Sequence, residues 1–172
     1  YGGMTFTKGT FGSVILYRTS YNVVSADGRA ARYELYLRTN PKENNVPVEG
    51  KIFYPAGRTV YTAVNESGLN CELTLVAISE LGQFLAGNLL KTKAGTLDYE
   101  RAISENITYV SCEKYPENTV IIIKAGNETK ITNKETNVSG KENCYTISVA
   151  NCEIVPAVEK FIVQSLVDSR EN

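Results

Sequence analysis

The segment Cys71–Asn88, CELTLVAISELGQFLAGN, constrains the fold of this chain more than any other stretch. Apolar side chains occupy both alternating faces of residues 72–78: Leu73, Leu75 and Ala77 on one face, and Val76 and Ile78 on the other. A strand that is covered on both sides belongs in the middle of a core. We therefore expect a central hairpin here, with its turn at Ser79–Gly82 and a second strand returning to the core.

Short segments with strand patterns recur along the rest of the chain. Thr119–Lys124, TVIIIK, is apolar on both faces, and Ala31–Thr39 follows an Asp27-Gly28 hairpin signal. About ten such segments, separated by Gly, Pro and Asn, predict an all-β fold, an antiparallel β-sandwich of the immunoglobulin-like or jelly-roll-like kind. One short helix is expected near residues 97–105, and Pro156–Ser169 fits a helix or a strand equally well.

The domain organisation is expected to be simple. With 172 residues and no linker-like stretch, residues 11–172 are interpreted as one β-sandwich domain. Residues 1–10 are interpreted as an N-terminal extension. The start at Tyr1 fits either a removed signal sequence or a segment cut from a longer chain.

Composition argues against several classes of function. The net charge is −1 and the charges are mixed, so no basic surface for nucleic acid is expected. No apolar run approaches the roughly 20 residues of a membrane span. The chain has no histidine, which removes the usual general base and a common metal ligand. We expect no enzyme, no cofactor and no metal site.

The four cysteines, Cys71, Cys112, Cys144 and Cys152, are interpreted as two disulfides, against the alternative of four buried thiols in a cytosolic protein. If residues 144–152 form one straight strand, its ends lie about 26 Å apart, whereas a disulfide needs Cα atoms within roughly 7 Å. Either the chain folds back near residues 150–151 and Cys144 pairs with Cys152, or each of these two reaches Cys71 or Cys112. We favour Cys71–Cys112 with Cys144–Cys152.

Four N-x-S/T motifs add to the extracellular interpretation. Asn65, Asn127 and Asn137 lie in predicted turns or polar loops, and Asn106 is the fourth candidate. We expect N-linked glycans at these positions and a location outside the cell or on its surface.

The N-terminal segment is the candidate for assembly. Glycines flank a short alternating stretch, and such a segment can leave its own domain and add a strand to the sheet of a neighbour. The candidate donor strand is formed by Met4, Thr5, Phe6, Thr7, Lys8, Gly9 and Thr10. Repeated head to tail, this contact gives an open filament of identical subunits.

The stretch Thr5–Val14, TFTKGTFGSV, resembles the N-terminal segment of the TasA/camelysin group of secreted fibre proteins. That resemblance implies a β-sandwich subunit that polymerises by donating its N-terminal strand, as in related archaeal surface pili. It implies that Met4–Thr10 is the donated strand and that the rest of the chain is the acceptor.

The sequence therefore predicts a structural subunit of an extracellular, pilus-like filament whose partners are copies of itself. The alternative is a monomeric secreted adhesion or ligand-binding module. In that case sugar-stacking rings would come from Tyr33 with Tyr36, or from Tyr54 with Tyr61.

Overall fold

The computed structural model describes residues 1–25, 27–55, 57–65, 67–134 and 143–170. The strands are β1 (Thr7–Phe11), β2 (Val14–Val24), β3 (Ala30–Leu37), β4 (Val48–Glu49), β5 (Thr59–Val64), β6 (Lys91–Gly95), β7 (Thr119–Ala125), β8 (Lys130–Lys134) and β9 (Cys144–Val149). The helices are α1 (Thr74–Gly87), α2 (Tyr99–Ser104) and α3 (Ile154–Asp168).

The prediction of an all-β antiparallel sandwich is wrong, because the largest sheet is mixed and is built with helices. This six-stranded central sheet has the order β4-β8-β9-β7-β5-β6. Strands β6, β5, β7 and β9 are parallel neighbours, whereas β8 is antiparallel to β9. Parallel strands need long crossover connections, and α1 supplies the one between β5 and β6.

The expected central hairpin is helix α1. Its buried residues, Ala77, Leu81, Phe84 and Leu85, are spaced i, i+4, i+7 and i+8, the stripe of a helix packed on a core. The apolar residues within 72–78 fit a strand-like alternation over that short window, but over the whole segment the apolar residues follow the helical spacing. Gly82 lies inside the helix and does not make a turn.

The other helices agree better with the sequence. Helix α2 lies within residues 97–105 as expected, and Asp98 caps it by accepting a hydrogen bond from the backbone N–H of Arg101 over 3.0 Å. The ambiguous segment at the C-terminal end is helix α3, with Pro156 in its first turn. TVIIIK is confirmed as a strand, β7, and it lies inside the central sheet.

A second sheet, the N-terminal sheet, consists of β1, β2 and β3 in that order, all antiparallel. The hairpin expected around Asp27-Gly28 joins β2 to β3. Helices α1 and α3 pack between the two sheets, and one core contains side chains from both sheets and both helices, among them Leu37, Phe84, Tyr145 and Phe161.

Two disulfides hold the central sheet, and their pairing differs from the one we favoured. Cys71 bonds to Cys152, and Cys112 bonds to Cys144. The first joins the loops that follow β5 and β9, and the second lies at the opposite ends of the strands. Strand β9 begins at Cys144 and runs to Val149, so Cys144 and Cys152 lie at opposite ends of the sheet and do not meet.

None of the helices in the described ranges has both the length and the hydropathy needed to cross a membrane.

Candidate functional site

The N-terminal sheet has one face on the helices and one face toward solvent. The inner face carries Tyr17, Thr19 and Tyr21 of β2 and Tyr33, Leu35 and Leu37 of β3. The outer face carries Leu16, Arg18, Ser20 and Asn22 of β2 and Arg32, Glu34 and Tyr36 of β3. This division follows from the alternation of side chains along each strand.

Two tyrosines of the inner face anchor this sheet on α1. The Tyr33 hydroxyl donates to the backbone oxygen of Gln83 over 3.1 Å. The Asn88 side-chain amide donates to the Tyr21 hydroxyl over 2.8 Å. A Cβ atom on Gly87 would lie 2.1 Å from the Tyr33 ring, so the absent side chain of Gly87 lets the sheet approach the helix.

A polar network covers the outer face. Arg18 pairs with the carboxylate of Glu34, and the Tyr36 hydroxyl donates to the same carboxylate over 2.7 Å. These hydrogen bonds, from Tyr36 first and from Arg18 second, lower the pKa of Glu34. Arg32 donates to the Ser20 hydroxyl over 2.8 Å. The network fixes side chains that can bind polar groups.

The antiparallel ladder between β1 and β2 stops at Thr7, which lies opposite Arg18. Strand β2 continues to Val24, and its pairing with β3 continues with it. On the side of β1, the second half of β2 therefore has no strand neighbour within the described chain.

The direction of the unpaired backbone groups follows from the turn between β1 and β2. Phe11 and Val14 flank a two-residue turn, and Gly12 has a φ of 61°, which suits the first position of a type II′ turn. The pair that flanks such a turn, here Phe11 and Val14, exchanges both backbone hydrogen bonds. The backbone N–H and C=O groups of every second residue of β2, counted from Val14, therefore point toward β1. Ser20, Asn22 and Val24 share this direction beyond the end of β1, and we call their backbone groups the open edge.

Two clefts meet at the open edge. One, of about 530 Å³, lies over the outer face and includes Arg18, Ser20 and Arg32 in its lining. The other, of about 630 Å³, shares Ser20 and Arg32 and is bounded by Ser169 and Arg170, after the end of α3. The two linings contain three arginines and no carboxylate, although Glu34 lies beside them on the outer face.

A different groove, of about 570 Å³, lies between α1 and the edge strand β6. Its lining is mainly apolar and includes Leu75, which is 80% exposed. Ile107 and Arg101 close it on the side of α2. Exposed apolar surface of this kind is typical of contact sites.

In open α/β sheets, ligands bind beyond the carboxyl ends of parallel strands, where the chain order reverses. Here that position lies between β5 and β7. The loops at this end carry the Cys71–Cys152 disulfide and the exposed asparagines Asn65 and Asn127. In the described ranges no group of three or more His, Cys, Asp or Glu side chains is arranged to hold a metal ion.

Two buried carboxylates on α3 stabilise the fold by accepting hydrogen bonds from backbone N–H groups. Glu159 accepts hydrogen bonds from the backbone N–H groups of Arg38 and Thr39. Asp168 accepts one from the backbone N–H of Ile52 over 2.7 Å. Burial raises the pKa of Glu159 to about 7. Both groups are tied to backbone and buried, so neither faces the two clefts at the open edge.

The candidate residues from the sequence are distributed over the molecule. Asn65, Asn106 and Asn127 are exposed, and Asn137 lies outside the described residues. Of the proposed donor strand, Met4 is buried with 6% exposure, Phe6 packs against the core, and Thr7–Thr10 belong to β1. Thr5 is exposed. The expected tyrosine pairs do not form: Tyr33 and Tyr36 lie on opposite faces of β3, and Tyr61 stacks on Tyr115.

The open edge and its arginines were not predicted from the sequence. The only local signal was the short β1 segment beside a much longer run of strand-forming residues in β2. A comparison of the chain with protein-family models, with curated proteins and with solved structures finds no match, so the resemblance to the TasA/camelysin group stays a prediction.

Proposed function

We propose that this chain is an extracellular, non-catalytic binding module that captures an extended segment of another protein on its N-terminal sheet. The observation that carries the proposal is the ladder between β1 and β2, which ends at Thr7 while β2 runs on to Val24. An incomplete sheet edge next to an open cleft binds extended peptides by adding them as a further strand.

The extracellular part of the proposal is supported by the cysteines and the sequons. All four cysteines are in disulfides, which persist in oxidising compartments. The three described sequon asparagines are exposed, so the fold has room for a glycan at each. The non-catalytic part is supported by Glu159 and Asp168, whose carboxylates are bound to backbone N–H groups.

A peptide-display selection against the immobilised, oxidised protein tests this function. We expect a family of linear peptides whose binding is lost with Asn22→Pro, which removes one N–H from the open edge. The matched control is Leu75→Ser in the apolar groove beside β6, which should leave binding unchanged. Failure to enrich any peptide family, or loss of binding with Leu75→Ser alone, would contradict the proposal.

The strand-donated filament is the second candidate, and one observation favours it. Every residue of β1 is exposed, so detaching β1 uncovers no buried side chain of that strand. Against this, the buried Met4 anchors the segment that precedes β1. Donation would have to withdraw this side chain from the core, at a cost of about 2–5 kcal/mol by analogy with Met→Ala changes.

Light scattering and negative-stain microscopy test this second candidate. Thr10 and Ile15 face each other as a pair without mutual backbone hydrogen bonds, a geometry that a disulfide can span. Replacing both with cysteine locks β1 on its own sheet. Fibres formed by the native protein and lost in the locked variant would establish donation; a monomer at all concentrations would exclude it.

A further inference from the structure

The geometry points to a specific partner for the open edge: we propose that it binds an acidic extended peptide, which continues the line of β1 along Ser20–Val24. This inference rests on the proposed function and adds the position of the bound strand and its charge. The open edge is accessible, its backbone groups point outward, and its surroundings are basic.

The chain's own N-terminal residues do not occupy this position. If β1 continued backward in register from the Thr7–Arg18 pair, Thr5 would lie opposite Ser20. Instead the chain turns toward α3, where Lys160 donates to the Tyr1 hydroxyl over 2.9 Å and Arg170 donates to the backbone oxygen of Gly3 over 3.0 Å. A peptide can therefore enter where β1 ends.

The backbone of the open edge supplies alternating donors and acceptors. Ser20, Asn22 and Val24 each present an N–H and a C=O outward from the sheet, because β3 takes the groups of Tyr21 and Val23. The Ser25 N–H donates a hydrogen bond to the backbone oxygen of Arg29 over 2.9 Å. This bond agrees with the alternation, because the backbone groups of Ser25, like those of Tyr21 and Val23, point toward the side of β3. A strand added here forms a regular antiparallel or parallel ladder.

Charge selects among extended peptides. Arg32 donates to Ser20 and Arg170 to Gly3. Among the residues that the structure describes, neither forms a direct ion pair with a carboxylate, although the charge of Arg32 helps to lower the pKa of Glu34. Arg18 is held by Glu34 beside them. Arg32 lies on the outer face of the N-terminal sheet, and Arg170 lies after the end of α3, on the side of the inner face. Alternate side chains of an added strand would therefore approach one arginine or the other.

Carboxylates on the peptide satisfy these guanidinium groups through charge-assisted, often bidentate hydrogen bonds. A basic peptide would place like charges next to the arginines, which disfavours it. The lining of the cleft beside the end of α3 is mainly polar, with Ser20, Asn22 and Ser169, so an apolar strand gains little burial there. An acidic strand is thus the partner that the described residues fit best.

Fluorescence polarisation with two labelled peptides tests the inference on the full, oxidised chain. The probes are a peptide of alternating Glu and Val and its counterpart of alternating Lys and Val. We expect the Glu peptide to bind at least about tenfold more tightly, and raised salt to weaken it. Amide shifts in nitrogen-edited NMR spectra should concentrate on Ser20, Asn22 and Val24.

Three variants complete the test. Asn22→Pro should weaken the Glu peptide about tenfold, since it removes one edge hydrogen bond and disturbs its neighbours. Arg32→Gln should weaken it about threefold or more and reduce the salt dependence. Lys8→Pro is the matched control: its N–H points away from β2, on the free side of β1, so it is not part of the open edge and binding should be unchanged. NMR spectra of each variant verify the fold.

The outcomes separate this inference from the proposed function. Equal binding of both probes, or native-like binding by a folded Asn22→Pro protein, would overturn the inference. If the display selection still yields neutral peptides that depend on Asn22, the binding function stands and only the acidic preference is wrong. If no peptide from either experiment binds, both proposals fail.

Discussion

The carboxylate of Glu159 in α3 accepts a hydrogen bond of 2.8 Å from the backbone N–H of Thr39, just beyond the end of β3. The other oxygen of Glu159 accepts from the backbone N–H of Arg38. Glu159 is 1% exposed, so this contact ties the N-terminal sheet to the helix layer through a buried acid. Burial is the main reason why its pKa is raised to about 7.

Stability should therefore fall as pH rises from about 4.5 to 7. Between the ordinary pKa of Glu159 and its raised pKa in the fold, the folded chain binds more protons than the unfolded chain. The free energy of unfolding then decreases by about 3 kcal/mol across this window. Burial also raises the pKa of Glu80, which acts in the same direction. Urea unfolding at several pH values measures the slope.

Glu159→Gln should flatten this dependence, because the amide does not titrate. It should also lower stability at pH 5 by about 1–3 kcal/mol, since only one of its two polar atoms can accept a hydrogen bond. Glu153→Gln is the control, since Glu153 is exposed at the start of the same helix. The chain has no histidine, so no imidazole titrates in this range. An unchanged slope in Glu159→Gln would show that another group is responsible.

Two glycines of α1 should respond in opposite ways to alanine. At Gly82 a Cβ meets nothing within 4 Å, so Gly82→Ala should stabilise the protein by about 0.5–1 kcal/mol through backbone entropy. At Gly87 a Cβ would lie 2.1 Å from the Tyr33 ring, and Gly87→Ala should cost about 1–3 kcal/mol. Thermal unfolding of both variants measures the difference.

The cost at Gly87 should depend on the Tyr33 ring. In a Tyr33→Ala background the clash disappears, so the Gly87→Ala change should become neutral or stabilising. Equal effects of Gly87→Ala in both backgrounds would mean that the ring does not contact this position.

Each disulfide should contribute several kcal/mol. The pairs Cys71–Cys152 and Cys112–Cys144 are separated by 81 and 32 residues, and replacing either pair with serine should cost about 4 kcal/mol by loop entropy. Peptide mapping under non-reducing conditions checks the pairing itself. Recovery of a Cys71–Cys112 peptide from the native protein would contradict the structure.

Glycan occupancy should differ between the described sequons if modification acts on the folded chain. Asn65 and Ser67 are both exposed. Thr129, the hydroxyl residue of the Asn127 sequon, is buried, and its hydroxyl accepts the Ala150 N–H over 2.9 Å. Glycosylation of folded protein should therefore favour Asn65 over Asn127, as mass spectrometry of glycopeptides can measure. Equal occupancy would indicate modification before folding.

Local features of the fold were predictable because their causes are local. Asp27-Gly28 specifies a hairpin through backbone conformation, and the apolar run Thr119–Lys124 specifies a buried strand through its composition. The helix α2 was expected because residues 97–105 are rich in helix formers and lack strand alternation, and Asp98 caps it. The exposed sequon asparagines agree with the predicted turns at Asn65 and Asn127.

Helix α1 was mispredicted because a short window shows alternation and helical spacing at once. Leu73–Ile78 fits both periods, and only Leu81, Phe84 and Leu85 further along distinguish them. Whether a strand pairs in parallel depends on the crossover that joins it to its neighbour. Once α1 was interpreted as a hairpin, the parallel sheet could not be predicted.

The sequence by itself determined which segments are apolar, where the sharp turns lie, and that four cysteines and several sequons are present. Only the tertiary structure decided which cysteines meet, that Met4 enters the core, and that β1 ends before β2 does. Those outcomes depend on contacts between residues far apart in the chain. The free energies of such contacts cannot be inferred from short sequence patterns. The open edge beside Arg32 and Arg170 is such an outcome, because β2, β3 and the end of α3 meet only in the folded protein.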